Sequence, residues 1–585
     1  MSMAEQATSP DIRPMLQTRL DIQSDIDIYA RATIDLKSRL NTLTHIGRLP
    51  PELLSEILVH GVINDDSRHI AEYYYSHIPW IRLSHVCRHF RAVALNTPRF
   101  WSYLRLAKSQ VFAELLARSK AAPLHIKARV DSGTNRPDRI LALEMLLPHS
   151  HRIKELYIEG SSKHVRLFCL KTVSPFDTLE KLELTAPSDS YDYMSDYAIR
   201  VPSFVPILAS SAAPPRLRHL KLQRFPFRWD DLIFSSPALT TLVVTGNNST
   251  NNRDTAPPDV GSFDALFSAL AAVAPRLELL EIEDAIPRQG LVVTTPVQLP
   301  IPLRTVALTS LKYIRLAGNA LYVAHLLNHI SSPPTASLHV RIRDDVGAKE
   351  LVQSVATHMS ERLPFLSLHI TSRGLQPLIV SGWTHLDTSG DALLQVAFGS
   401  AGSHDLLPQI IQGSGPLFLR VQELNIAGIF SSLVKWTNIF PRFPSVRTLA
   451  VEGHPWDDIL PALTAMRRLQ DDRLFVAMPS LRALRFTEFR FSLPSDGLVP
   501  FDDLLDLAIF RCNCAIPIDE VRLSECKYAT EEQVERLREV VVGVDWDGWE
   551  VESTTEEEYD SDRDEGLDYS DSDYGHRHRR GYGGW

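Results

Sequence analysis

The chain reads as a mixed α/β protein in which a compact N-terminal helical unit precedes a long strand-and-helix array and an acidic tail. Three observations predict this. Apolar residues at helical spacing cluster between residues 46 and 106. From about residue 150 a strand pattern, L-x-x-L-x-L or a close variant, keeps returning. Beyond residue 550 aliphatics become scarce and acids dominate.

With 585 residues, 44% hydrophobic and 23% charged, the chain has material for a large core, and at this length an elongated array or several domains is expected rather than one compact core. The net charge of -10 and pI near 6.1 leave no basic surplus for displacing counterions, so a nucleic-acid partner is not expected. Five cysteines (Cys87, Cys169, Cys512, Cys514, Cys526), odd in number and unevenly spaced, suit a reducing compartment. No apolar run approaches the ~20 residues of a membrane helix. A soluble protein of the cytoplasm or nucleus is expected, with no membrane partner.

Residues 1–14 are expected to be disordered. Over 15–45 apolar residues recur from Leu16 to Leu43 at roughly helical spacing, which predicts a helix that either packs on the next domain or forms a short self-associating coiled coil. In "LPPELLSEILVHGVI" the residues Leu49, Leu53, Leu54, Ile57 and Leu58 form a broad apolar stripe, Pro50 and Pro51 suit the helix start, and Gly61 suits its end. After a polar, Tyr-rich segment, Leu83, Val86, Cys87, Phe90, Val93 and Ala94 mark another helical face, which Thr97-Pro98 stops. Trp101 follows, and "YLRLA" reads as a strand. Residues 107–149 are expected to be a linker or the first repeats.

Between 150 and 529 the strand pattern returns in "RIKELYIEG", "TLEKLELTA", "RLRHLKLQRF", "ALTTLVVTGN", "RLELLEIEDA", "SLKYIRLAGN", "FLSLHITS", "ALLQVAFGS", "RVQELNIAG", "SLRALRFTEF" and "DLLDLAIFRC", among others. The steps run from 22 residues (Leu220 to Leu242) to 38 (Leu182 to Leu220). Longer intervals hold helical segments such as 263–274 and 456–466. One strand and one helix per unit is the leucine-rich-repeat plan, so an irregular solenoid is predicted. Residues 530–550 add a helix with Thr530 and Gln533 in capping-box spacing and then a strand, a cap for the open array. The tail 551–585 is expected to be disordered.

No metal, P-loop, dinucleotide or nucleophile-elbow motif occurs, and no cofactor or catalytic residue is expected. Cys512, Cys514 and Cys526 lie close together but lack C-x-x-C spacing and a fourth ligand, which favours buried apolar cysteines.

"IGRLPPELLSEILVHGV" followed by "WIRLSHVCRHFRAVALNTPRFWSYLRL" resembles the F-box, in the form found in large fungal families where it precedes degenerate leucine-rich repeats. The matching order is a Leu-Pro start, an aliphatic helix, V-C-R-x-F-R and a downstream Trp, with a segment 62–79 that is longer than in a compact F-box. This resemblance implies a substrate-recognition subunit of an SCF-type ubiquitin ligase. The F-box over 46–106 would bind the Skp adaptor, and through it a cullin, and the repeats would bind a protein substrate. The rival expectation is an interaction scaffold of the same architecture without a ligase role. For the adaptor, the candidate residues are Leu49, Pro50, Leu53, Leu54, Ile57, Leu58, Leu83, Val86 and Trp101. For the substrate they are the outward strand positions Lys221, Arg315, Arg341 and Arg485.

Overall fold

The computed structural model describes residues 12–549 apart from 69–78, 107, 131–135, 161–164, 166–167, 170, 172–174, 187–212, 247–259, 289–298, 300–303, 345, 360–363, 373–376, 400–406, 414, 429–433, 454–458, 469–473 and 492–499. Residues 1–11, the tail 551–585 and most of the long 62–79 segment therefore lie outside the described residues.

Three helices open the chain: α1 (Ile12–Thr42), α2 (Pro51–Arg68) and α3 (Arg88–Leu95). The first begins at Ile12, inside the stretch expected to be disordered. The second does not end at Gly61: a Cβ there would lie 2.8 Å from Leu83 Cδ1, so this glycine serves close packing within a continuing helix. The third is shorter than the apolar pattern suggests. A 3-10 segment covers Pro79–His85, and Cys87, in extended conformation, caps α3, so Val86 falls outside the helix and is exposed.

The strands are β1 (Tyr103–Arg105), β2 (Leu124–Val130), β3 (Ile153–Gly160), β4 (Lys181–Thr185), β5 (His219–Gln223), β6 (Thr241–Thr245) and β7 (Leu279–Glu283). Next come β8 (Val306–Ala307), β9 (Tyr313–Gly318), β10 (Ile330–Ser331), β11 (Ser337–Ile342), β12 (Ser367–Ser372), β13 (Leu378–Trp383) and β14 (Leu394–Phe398). The last are β15 (Glu423–Gly428), β16 (Thr448–Glu452), β17 (Met466–Arg468), β18 (Leu474–Val476), β19 (Ala483–Thr487), β20 (Glu520–Ser524) and β21 (Gly543–Trp546). Seventeen of them form one open, mostly parallel sheet, while β8 pairs with β10 and β17 with β18. The sheet begins at β1, within the segment assigned to the helical unit, and β2 carries it through 107–149, so the array starts well before residue 150.

Strand alternation explains the core. Leu156, Leu182, Leu220, Leu242, Leu280 and Ile314 sit opposite one another on successive strands, and every one of them is buried. Helices pack on this face where the sequence predicts them. Phe263–Val273 is capped by Ser262, whose side chain accepts from Ala265 N–H, and Glu531–Arg538 carries the complete Thr530–Gln533 capping box. The second predicted helix, 456–466, is reduced to Ile459–Thr464.

One strand expectation fails. "DLLDLAIFRC" is not a strand but part of the helix Phe501–Asn513, with Asp502 and Asp503 in its first turn and Phe501, Leu504, Leu505 and Ala508 buried at helical spacing. The strand of that unit is β20.

Chain order also breaks in the middle of the sheet. There β11 pairs with β14, then antiparallel β13, then β12, which pairs with β15. Only residues 373–377 join β12 to β13, too few for a parallel crossover of about a dozen residues, so the chain must turn back as a hairpin. At this point the inward row holds Gly382 instead of an aliphatic, and the Phe365 ring, 2.9 Å from where its Cβ would be, fills the place.

The inward and outward assignments are directly testable. Leu280→Ala should cost about 2–5 kcal/mol in denaturant unfolding, whereas Glu281→Ala, the next residue on the opposite face, should change stability by no more than about 0.5 kcal/mol.

Candidate functional site

Two surfaces hold the candidate residues. On α2, spacing divides the aliphatics. Leu54, Leu58 and Val62 recur every four residues and are buried, with Val59 beside them, while Leu53 (54% exposed) and Ile57 (45%) lie one turn apart on the open side. Pro50 is exposed just before the helix, and its carbonyl accepts the Leu54 N–H at 3.0 Å. Leu49 and Leu83 are half-buried, and Ile46 and Val86 are exposed. Arg99 reaches Glu56 at 2.9 Å, so the Pro98–Trp101 turn lies alongside α2.

Three of the expected adaptor residues are therefore core residues. Leu54 and Leu58 face inward, and Trp101 is 1% exposed, with its indole N–H donating to the Ala94 carbonyl at 2.7 Å. Trp101 also packs edge-on against Trp80 and Phe100, and the Arg118 guanidinium lies 4.6 Å from its ring centre. Arg118 belongs to the helix Ser109–Arg118 of the array, so this Trp joins the helical unit to the sheet. Sequence spacing could not make that division, because a stripe wider than one face looks the same whether its edge is covered or open.

The second surface is the sheet face away from the core. Pairing register places Arg105, Lys127, Tyr157, Glu183 and Lys221 in one row, which continues through Val243 and Glu281 to Arg315 and His339. Further along the same row lies Arg485. The four predicted substrate residues are not gathered into one site. At the strand spacing of a sheet, Lys221 and Arg315 are about 14 Å apart and Arg315 and Arg485 about 34 Å apart. Arg341 belongs to the next row, opposite Ala317 and Ala397, and Arg485 is paired with Glu423 at 3.4 Å.

Lys221 borders a cavity. It has a volume of about 290 Å³ and lies across β1–β5 next to the helical unit. Trp80 closes one side; Tyr103, Arg105, His125, Lys127, Glu155, Tyr157, Lys181 and Glu183 form the polar lining. Tyr103 stacks on His125 with ring centres 4.4 Å apart, and His125 Nδ1 lies 3.1 Å from Glu155. The His125 contact holds the Glu155 carboxyl below the usual range against the opposing effect of burial. Burial would raise Glu183, but hydrogen bonds from His219 and Lys181, and their charges, bring it down to about 2. Four cationic side chains thus surround two firmly ionised carboxylates, which makes this end of the face suited to an acidic partner.

Sequence reading missed Arg105, Lys127 and Lys181 here. Their signal was the outward alternation of "YLR", "LHIKARV" and "KLELT", but only register shows that these positions adjoin.

No family model matches the chain, and no curated protein matches it. Among the described residues, no helix is long and apolar enough to cross a membrane.

Because Glu183 titrates lower in the folded protein than its ordinary value of 4.5, its ionised form stabilises the fold above that pH. Glu183→Gln should cost on the order of 1–3 kcal/mol near neutrality. The gap to wild type should close as the pH falls from 4.5 toward 2, which urea titrations across that window would measure.

Proposed function

We propose that the chain is the substrate-recognition subunit of an SCF-type cullin ubiquitin ligase. The N-terminal helical unit acts as an F-box and binds the Skp adaptor; the outward face of the sheet, read as a leucine-rich-repeat-like solenoid, binds a protein substrate. The observation that carries this reading is the division of α2. Its inner aliphatics complete a core, and Leu53 and Ile57 remain exposed beside Pro50, on the residues that resemble the F-box. An apolar helix face of this kind suits a hydrophobic groove on a partner.

For the substrate, the face offers rows of alternating charge rather than a deep apolar pocket. The cationic end over β1–β5 favours an acidic segment, since complementary charge steers encounter and penalises wrong partners. Lys127, Lys181 and Lys221 would then contact the substrate together, and Arg315, Arg341 and Arg485 would meet other parts of an extended partner.

Leu53→Asp combined with Ile57→Asp should abolish capture of the Skp adaptor. Both side chains are about half exposed, so the melting temperature should move by no more than a few degrees. Retained capture would refute the F-box assignment. Capture of the adaptor without a cullin and without a ubiquitinated client would instead favour the scaffold.

A further inference from the structure

Among the described residues, α1 is almost wholly uncovered. Ile22, Ile26, Tyr29, Leu36, Leu40 and Leu43 are between 53% and 72% exposed. They are spaced by four, three, seven, four and three residues, with Thr33 in the place between Tyr29 and Leu36. This is the alternating three-and-four spacing of a coiled-coil seam. Among the described residues, the ion pair that ties α1 to α3, Asp35 to Arg88 at 3.2 Å, lies about 130° around the helix from that seam, at 100° per residue. The seam therefore faces away from its own chain.

We propose that α1 pairs antiparallel with α1 of a second copy of this chain. The sequence of the seam is complementary to itself in one register. Ile22 faces Leu40, Ile26 faces Leu36 and Tyr29 faces Thr33, each contact occurring twice about a two-fold axis. In that register Asp25, which flanks the seam, meets Arg39 of the other copy, again twice, and the flanking positions at the centre are Ala30 and Ala32, small enough for close approach. A parallel pairing brings neither charge to its opposite. Thr33 enters the seam already satisfied, because its hydroxyl donates to the Tyr29 carbonyl at 2.8 Å, so burying it leaves no orphaned donor. Within α1 the overlap runs from Leu20 to Thr42, about 33 Å. The pairing removes from water an apolar stripe that an isolated helix would leave exposed.

This inference is independent of the ligase reading, since it uses no residue assigned to the adaptor or to the substrate. Light scattering on the full chain should give twice the 65.9 kDa of one copy. Ile26→Asp with Leu36→Asp should give a monomer with unchanged unfolding of the sheet. Ile34→Lys, which lies off the seam, should leave the dimer intact. Asp25→Arg, which sets like charges against each other, should weaken the dimer by about tenfold or more, and adding Arg39→Asp to the same chain should bring it back to within about threefold of wild type. A monomeric wild type overturns the proposal. So does a dimer that survives the seam substitutions, one that Ile34→Lys disrupts, or one on which the charge exchange has no effect.

Discussion

The whole sheet depends on aliphatic side chains from successive strands lying against one another in a continuous row. A five-residue strand such as β5 or β6 cannot pair its own backbone groups and cannot bury its two inward residues alone. Placed between neighbours in register, it does both. Each buried leucine is worth roughly 1.5–3 kcal/mol only because the next strand supplies the surface that covers it. The row runs from Leu104 in β1 to Leu484 and Val521 near the other end. It tolerates one glycine, Gly382, where Phe365 supplies the missing volume.

An open row has two ends that must be closed. At β1 the closure is aromatic: Trp80, Phe100 and Trp101 meet edge-on, and the Arg118 guanidinium covers the last ring. The small helical unit and the sheet thus share one continuous hydrophobic core, which explains how so short a unit holds its shape. At the far end the capped helix Glu531–Arg538 packs beside β21 and contributes buried Val534 and Leu537. Between the strands, irregular loops need other support. Arg511 is fully buried, and its guanidinium donates to the Ala477 and Met478 carbonyls at 3.2 and 2.8 Å; burial lowers it to about 10, so it stays charged near neutrality. Met478 has a positive φ of 50°, a conformation that costs a non-glycine residue and that these bonds help to hold.

The same register that stacks leucines inward lines up the intervening residues outward. Long rows of charged and polar side chains follow, and contacts such as His125 with Glu155 and Lys181 with Glu183 join residues of neighbouring or single strands. A partner meeting this face encounters a sequence of charges along tens of ångströms. The candidate surfaces are thus by-products of alternation, inward apolar and outward polar, on β-strands and on α2 alike.

Periodicity alone determined the broad architecture: the mixed α/β class, the strands β3 to β7, β9, β11, β12, β14 to β16 and β19, the helix at 263–274 and the capping box at Thr530, but not β8, β10, β13, β17 or β18. Each is a local matter of which residues recur at two or at three to four positions. What periodicity could not determine was which neighbour covers which side. Gly61 looks like a helix end until Leu83 is seen against it, and Leu53 and Leu54 look alike until only one is covered. "DLLDLAIFRC" has strand-like leucines whose helical spacing wins because a core helix, not a strand, fits there. Likewise the exchange of β12 and β14 follows from a short connection and a ring over a glycine, and the cavity beside β1–β5 exists only once register sets Arg105, Lys127 and Lys221 in one row. Burial and adjacency are properties of pairs of segments distant in sequence, and only the tertiary structure brings those pairs together.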